Sequence, residues 1–157
     1  MLQDIITKYN MQKHPEGGYY SETYRSQIER KFPQGNRSLS TAIFFLLTKE
    51  EKSHFHRIKS DEGWHFYLGD PIRLFEITES GELHQTILGS NILEGQQQQY
   101  FVKAGTWFAA ECLGEFSFFG CTVSPGFDFN DFELANCEEF SHKYPAHSDI
   151  IKKFSLT

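Results

Sequence analysis

Hydrophobic and polar positions change period twice along this chain, giving a helical start, a long β region and a helical end. Leu2, Ile5, Ile6 and Tyr9 recur at helical spacing, which predicts a short amphipathic helix before the HPEGG break at residues 14–18. From Tyr19 the pattern is that of strands. YYSETYR is rich in aromatic and β-branched residues, and the glycine pair before it permits a sharp entry. The polar QIERKFPQGNRS reads as a loop, and residues 40–48, STAIFFLLT, are apolar on both faces and read as a central strand. Further strands are predicted over residues 54–58, 64–68, 72–77, 83–88, 99–102, 106–111 and 116–123, separated by GDP, ESGE, GSNILEG, KAG and LGE. Short strands at this spacing predict an all-β sandwich or barrel. CEEFSHKY and HSDIIKKF, on either side of Pro145, predict two short helices packed outside the sheet.

Composition narrows the picture. A chain of 157 residues, 39% hydrophobic, suits a single domain with a real core, and neither a linker nor an internal repeat divides it. Sixteen phenylalanines favour strands and a thick apolar interior. The formal charge of −6, with no dense lysine or arginine block, argues against nucleic acid and membrane surfaces as partners. MLQDIITKYN lacks the long apolar run of a signal peptide or spanning helix, so the expected location is cytoplasmic. Cys112, Cys121 and Cys137 lack CxxC spacing and read as buried small apolar groups. No phosphate-binding glycine loop, GxSxG elbow or HExxH helix is present.

Candidate chemistry concentrates in SHFHRIKSDEGWHFYLG, residues 53–69. His54 and His56 are one residue apart, so on an unbroken strand both imidazoles point the same way. With Glu62 they suit a divalent metal (iron, manganese, nickel or zinc) or the grip on a polar ligand. On the next strand His65 shares a face with Tyr67, whereas Trp64 and Phe66 take the other. A histidine beside a carboxylate serves as a general base and a tyrosine as the matching acid. The catalytic candidates are therefore His56, Glu62, His65 and Tyr67.

HPEGGYYSETYRS adds Glu16, Glu22, Arg25 and three tyrosines, and on a regular strand Tyr19, Thr23 and Arg25 project to one side. Tyr19, Glu22, Thr23, Tyr24 and Arg25 are ligand-binding candidates, and the same strand suits an edge swapped onto a neighbouring subunit. The acids of PGFDFNDFELA read as a solvated loop or a helix start.

HPEGGYYSETYRS, STAIFFLL, FHRIKSDEGWHFYLGDPI, VKAGTW and CTVSPGFDFNDFELA, in this order over almost the whole chain, resemble the successive signatures of the Cupin 5 family of small single-domain cupins. The resemblance implies an all-β, RmlC-like jelly-roll barrel, or double-stranded β-helix, that is usually dimeric and similar in fold to sugar-nucleotide epimerases. It implies no particular activity. It puts weight on His56, Arg57, Glu62, Trp64 and His65, and VKAGTW adds Lys103 and Trp107 at the rim. Where the second cupin motif carries a proline and, beyond the turn, a further histidine ligand, this chain has Lys103 and Phe108.

Three functions follow as expectations. The first is a homodimer binding a small polar or sugar-like ligand in the barrel. The second is a metal-independent epimerase or isomerase in which a histidine removes a proton beside a carbonyl and a tyrosine returns one. The third is a metal-dependent enzyme using His54, His56 and Glu62.

Overall fold

Aromatic residues on both faces of the central strands need two hydrophobic environments, and the structure supplies them as stacked layers. The computed structural model describes residues 1–156. Helix α1 (Leu2–Lys8) precedes strands β1 (Gln12–Lys13), β2 (Tyr19–Arg25), β3 (Glu29–Phe32), β4 (Gly35–Ser38), β5 (Thr41–Thr48), β6 (Lys52–Arg57) and β7 (Asp61–Gly69). Strands β8 (Ile72–Ile77), β9 (Leu83–Leu88), β10 (Gln99–Val102), β11 (Trp107–Cys112), β12 (Phe116–Ser124) and β13 (Glu133–Leu134) lead to helices α2 (Cys137–Lys143) and α3 (Ser148–Lys153).

The strands form an antiparallel six-stranded sheet of order β1-β2-β5-β12-β7-β10 facing a five-stranded sheet of order β13-β6-β11-β8-β9. No strand ladder joins the two, so the expected jelly roll is an open sandwich and not a closed barrel. Between the sheets lie Phe45, Leu47, Trp64, Leu74, Phe108 and Phe119, with Trp64 stacked on Phe119 at 4.7 Å between ring centroids. Helix α1 and Tyr9 cover the outer face of the six-stranded sheet around Phe44, Leu46 and Phe118. Helices α2 and α3 cover the other sheet through Phe140, Tyr144, Ile151 and Phe154, packed on Phe55, Phe75 and Trp107. Of the cysteines, Cys121 is buried, whereas Cys112 and Cys137 are half-buried.

Two departures from regular alternation matter. The polar stretch expected as a loop is the hairpin β3–β4, in which Pro33 and Gln34 form a two-residue connection and Gly35 sits at φ +118°. It stands outside both sheets, so its strands carry no apolar face to announce them. Second, bulges interrupt β2 between Glu22 and Tyr24, β6 opposite the step from Phe108 to Ala110, and β7 opposite the step from Phe118 to Phe119. Each inserts an extra residue and exchanges the faces beyond it.

Phe119 is fully buried between Phe45 and Trp64. Phe119→Ala is expected to cost about 3–5 kcal/mol in urea unfolding; a loss below about 1 kcal/mol would show that the interior is not close-packed there.

Candidate functional site

The site begins with the turn that the HPEGG break forms. Gly17 N–H donates to the His14 carbonyl, and His14 N–H to that of Gly18. Gly17 lies at φ +106°, and a Cβ on it would come within 1.9 Å of the Lys52 carbonyl oxygen. Only glycine lets this turn press against β6. The backbone N–H and the ring Nδ1–H of His54 then both donate to the Glu16 carbonyl, which sends the Glu16 side chain inward.

The Glu16 carboxylate is buried and held from two sides. Ser53 Oγ donates to it at 3.0 Å, and His56 Nε2 lies 2.8 Å from its other oxygen. Both donors come from β6, three residues apart, because His54 and Phe55 together face Ala109 in the bulge. The bulge overturns the expectation that His54 and His56 point the same way: His56 turns inward and His54 toward the HPEGG turn. His56 Nδ1–H donates to the His54 carbonyl at 2.7 Å, so its Nε2 faces Glu16. Burial alone raises a carboxyl and lowers an imidazole. Here the attraction between the two wins, with hydrogen bonds from His56 and Ser53 adding to it, so Glu16 titrates below its ordinary value and His56 above. Phe108 packs on His56 with ring centroids 4.0 Å apart.

His14 was not among the sequence candidates. Glu16 N–H donates to its Nδ1 at 3.1 Å, and Tyr20, Phe45, Phe129 and Phe132 surround the ring. Burial depresses its pKa against the pull of Glu16, and the positive charge of His56 adds to the depression. His14 is therefore neutral, with its proton on Nε2.

Glu62 enters from β7. Its Oε2 is buried and, among the described residues, accepts no well-aligned hydrogen bond, with Trp64 and Cys121 close to the carboxyl. Burial and then the charge of Glu16 raise its pKa to about 7, while His56, Trp64 and Cys121 draw it back only in part. The Trp64 indole N–H also lacks an aligned partner. Cys121 lies beside Glu62, and burial with that neighbouring charge pushes its thiol well above the ordinary range.

His14, Glu16, His56, Glu62 and Cys121 line a cavity of about 280 Å³ at one end of the sandwich interior. Tyr20, Glu22 and Arg25 approach it from β2, where the extra residue Thr23 puts Glu22 and Arg25 on one side and donates instead to the Ala42 carbonyl. Arg25 pairs with Glu22 at 2.6 Å and donates to the Phe127 carbonyl. Phe127, Phe129 and Phe132 form an aromatic wall. Arg37 holds this segment through two 2.8 Å bonds to Asp131, and Asp128 caps its short turn.

The structure brings His56, Glu62, Glu22 and Arg25 to the cavity and places the other candidates elsewhere. His65 faces the opposite side of the sheet, bonded to Thr122 at 2.9 Å. Tyr67 is half-exposed there against Phe44 and Phe118, and Tyr24 is exposed as well. Tyr19 lies under Lys13 and takes part in the α1 cluster, leaving Tyr20 to line the cavity. Trp64 is core. Arg57 stacks on Trp107 and pairs with Glu133 in a separate surface depression. Lys103 is exposed beside Asp61. His54 does not join His56 and Glu62, and among the described residues no cluster of three His, Cys, Asp or Glu side chains has the geometry to hold a metal ion.

The Cupin_5 family model, described as "Cupin superfamily (DUF985)", matches residues 3–135. The Saccharomyces cerevisiae protein "Uncharacterized protein YML079W" is 27% identical over 155 residues, spanning 88% of this chain and 77% of its own. A hypothetical protein from Leishmania major superposes with a TM-score of 0.93 at 32% identity, covering 99% of this chain and 98% of that one. Protein SO0799 from Shewanella oneidensis gives 0.91 at 38% identity, covering 98% and 96%. Oxalate decarboxylase from Bacillus subtilis matches at a TM-score of 0.57 and 13% identity, covering 90% of this chain and 36% of that one, a likeness of fold alone.

The raised pKa of Glu62 has a measurable consequence. Between its unfolded value of 4.5 and its folded value of about 7, the folded chain holds the proton and the unfolded chain does not. This stabilisation is complete below the unfolded value and is lost as pH rises through the folded one. Relative to wild type, Glu62→Gln should gain about 3 kcal/mol in urea unfolding between pH 5 and pH 8; a difference independent of pH would refute the shift.

Proposed function

Because this chain belongs to the Cupin_5 family of the cupin superfamily, whose fold by itself specifies no reaction, its function rests on the cavity, and we propose that the cavity binds a small, uncharged polar ligand of monosaccharide size. The observation that carries this reading is the unpartnered Oε2 of Glu62 on a cavity wall. A buried polar oxygen without a partner costs about 1–3 kcal/mol, which a hydrogen bond from a ligand hydroxyl recovers. The cavity volume is at the small end for metabolite sites. Its charges cancel within the protein, Glu16 against His56 and Glu22 against Arg25, which favours a ligand without net charge. The aromatic wall suits the apolar face of a sugar ring.

The expected homodimer has its own support. Register places Tyr24, Ala42, Thr122, Gly63 and Phe101 in one row across the six-stranded sheet, facing away from the cavity. Tyr67 lies over Gly120 on this same face. We propose that this flat face, with Tyr24, Tyr67 and Phe101 each about half-exposed, meets its copy in a two-fold pair.

Calorimetry and thermal shift with monosaccharides, sugar nucleotides and small polar metabolites are expected to find a binder whose affinity falls about tenfold or more in Glu62→Ala. Equal response of both proteins to every compound would end the binding reading. For the pair, light scattering should give twice the 18.3 kDa chain mass, reduced to one chain by Phe101→Glu; a wild-type monomer at micromolar concentration would remove it.

A further inference from the structure

Glu62 and His14 share the cavity; Glu62 Oε2 accepts no well-aligned hydrogen bond among the described residues, and of the His14 ring nitrogens it is Nδ1 that a backbone N–H engages. Glu16 N–H occupies His14 Nδ1, so the neutral ring carries its proton on Nε2, for which no acceptor is present among the described residues. His56 lies in the same cavity with both nitrogens engaged, Nδ1 by the His54 carbonyl and Nε2 by Glu16. The group that the sequence favours as a base is thus the one least free to act as one, and the free groups are a carboxyl and an imidazole N–H.

Building on the binding reading above, we propose that the cavity enolises small α-hydroxy carbonyl compounds. Glu62 removes the proton from the carbon beside the carbonyl, and His14 Nε2–H donates to the carbonyl oxygen. A carboxylate base with a neutral imidazole as its electrophilic partner is a workable division of labour for this chemistry. The C–H bond breaks, its electron pair becomes the C=C bond of the enolate, and the carbonyl π pair moves to the oxygen facing His14. Glu62 becomes the carboxylic acid. Return of a proton from Glu62 to the same face of the same carbon regenerates the substrate, carrying solvent hydrogen there once the carboxyl has exchanged. Return to the former carbonyl carbon, after a proton has passed between the two oxygens, gives the aldose–ketose isomer. Both outcomes conserve electrons, so neither needs an oxidant or a reductant.

The surrounding groups fit these roles. A Glu62 pKa of about 7 makes the carboxylate a stronger base than an ordinary glutamate while leaving it well populated at neutral pH. The negative charge moves from Glu62 to the substrate oxygen within one cavity, where the His56 imidazolium already acts on Glu62. Glu16 is a positioning residue, since it holds His56 charged and orients His14 through its backbone N–H.

The test uses dihydroxyacetone, D-xylulose, D-fructose and D-glucose. Binding is measured by calorimetry, and exchange of the C–H beside the carbonyl by proton NMR in D₂O. At least one compound is expected to bind and exchange. Glu62→Gln should keep affinity within about tenfold and lose exchange by about 100-fold or more. His14→Phe, which retains an aromatic ring, should lose about 100-fold as well. Binding without exchange by the wild type overturns the enolisation and leaves the binding reading standing. No binding of any of the four overturns the enolisation, while the binding reading stands or falls on the wider panel above. Undiminished exchange in Glu62→Gln overturns the assignment of the base.

Discussion

The site depends on the buried carboxylate of Glu16. A carboxylate out of water is tolerated only when its lone pairs and its charge are matched, and Ser53 with His56 does so from one strand. That requirement reaches outward. It needs the tight turn at Gly17, which brings Glu16 against β6, and the bulge that puts Ser53 and His56 on one side. It also reaches inward. Burial makes a second carboxyl nearby resist ionising, the charge that Glu16 keeps adds to this, and Glu62 is pushed to about 7. The matched charge therefore adds to the burial that leaves a titratable carboxyl beside it, on the cavity wall.

The fold was largely legible because alternation and flanking turns mark strands independently of where they pack. The strands over 72–77, 83–88 and 99–102 match the expected bounds. The faces were legible only where alternation ran unbroken. On β7, Glu62 and Trp64 point inward and His65 outward, as period two requires. On β2 and β6 the bulges convert the spacing from two to three, so the site pairs are Glu22 with Arg25 and Ser53 with His56. Nothing in the local composition of YYSETYR or KSHFHR marks an extra residue. A bulge is fixed by the partner strand and by what the bulged residue finds, such as the Ala42 carbonyl for Thr23.

His14 escaped notice for a different reason. In HPEGG it reads as part of a break, and its surroundings come from Glu16 N–H on Nδ1, the nearby Tyr20 ring and three rings contributed by distant segments. The paired glycines were the available signal. Two left-handed positions in succession mark a turn pressed against another backbone, and a carboxylate next to such a turn is a candidate for delivery into the interior.

Phe108 shows how the departure from the second cupin motif is absorbed. A histidine there would stand next to His56; the phenylalanine instead covers the imidazole at 4.0 Å and keeps water from it. With water excluded, the His56–Glu16 attraction is poorly screened, which strengthens the pair and the field it exerts on Glu62. Replacing a candidate metal ligand by an apolar ring therefore still leaves titratable groups on the cavity wall. What the site holds instead is a buried Glu62 whose pKa is raised first by burial and then by the charge of Glu16, with His56 opposing.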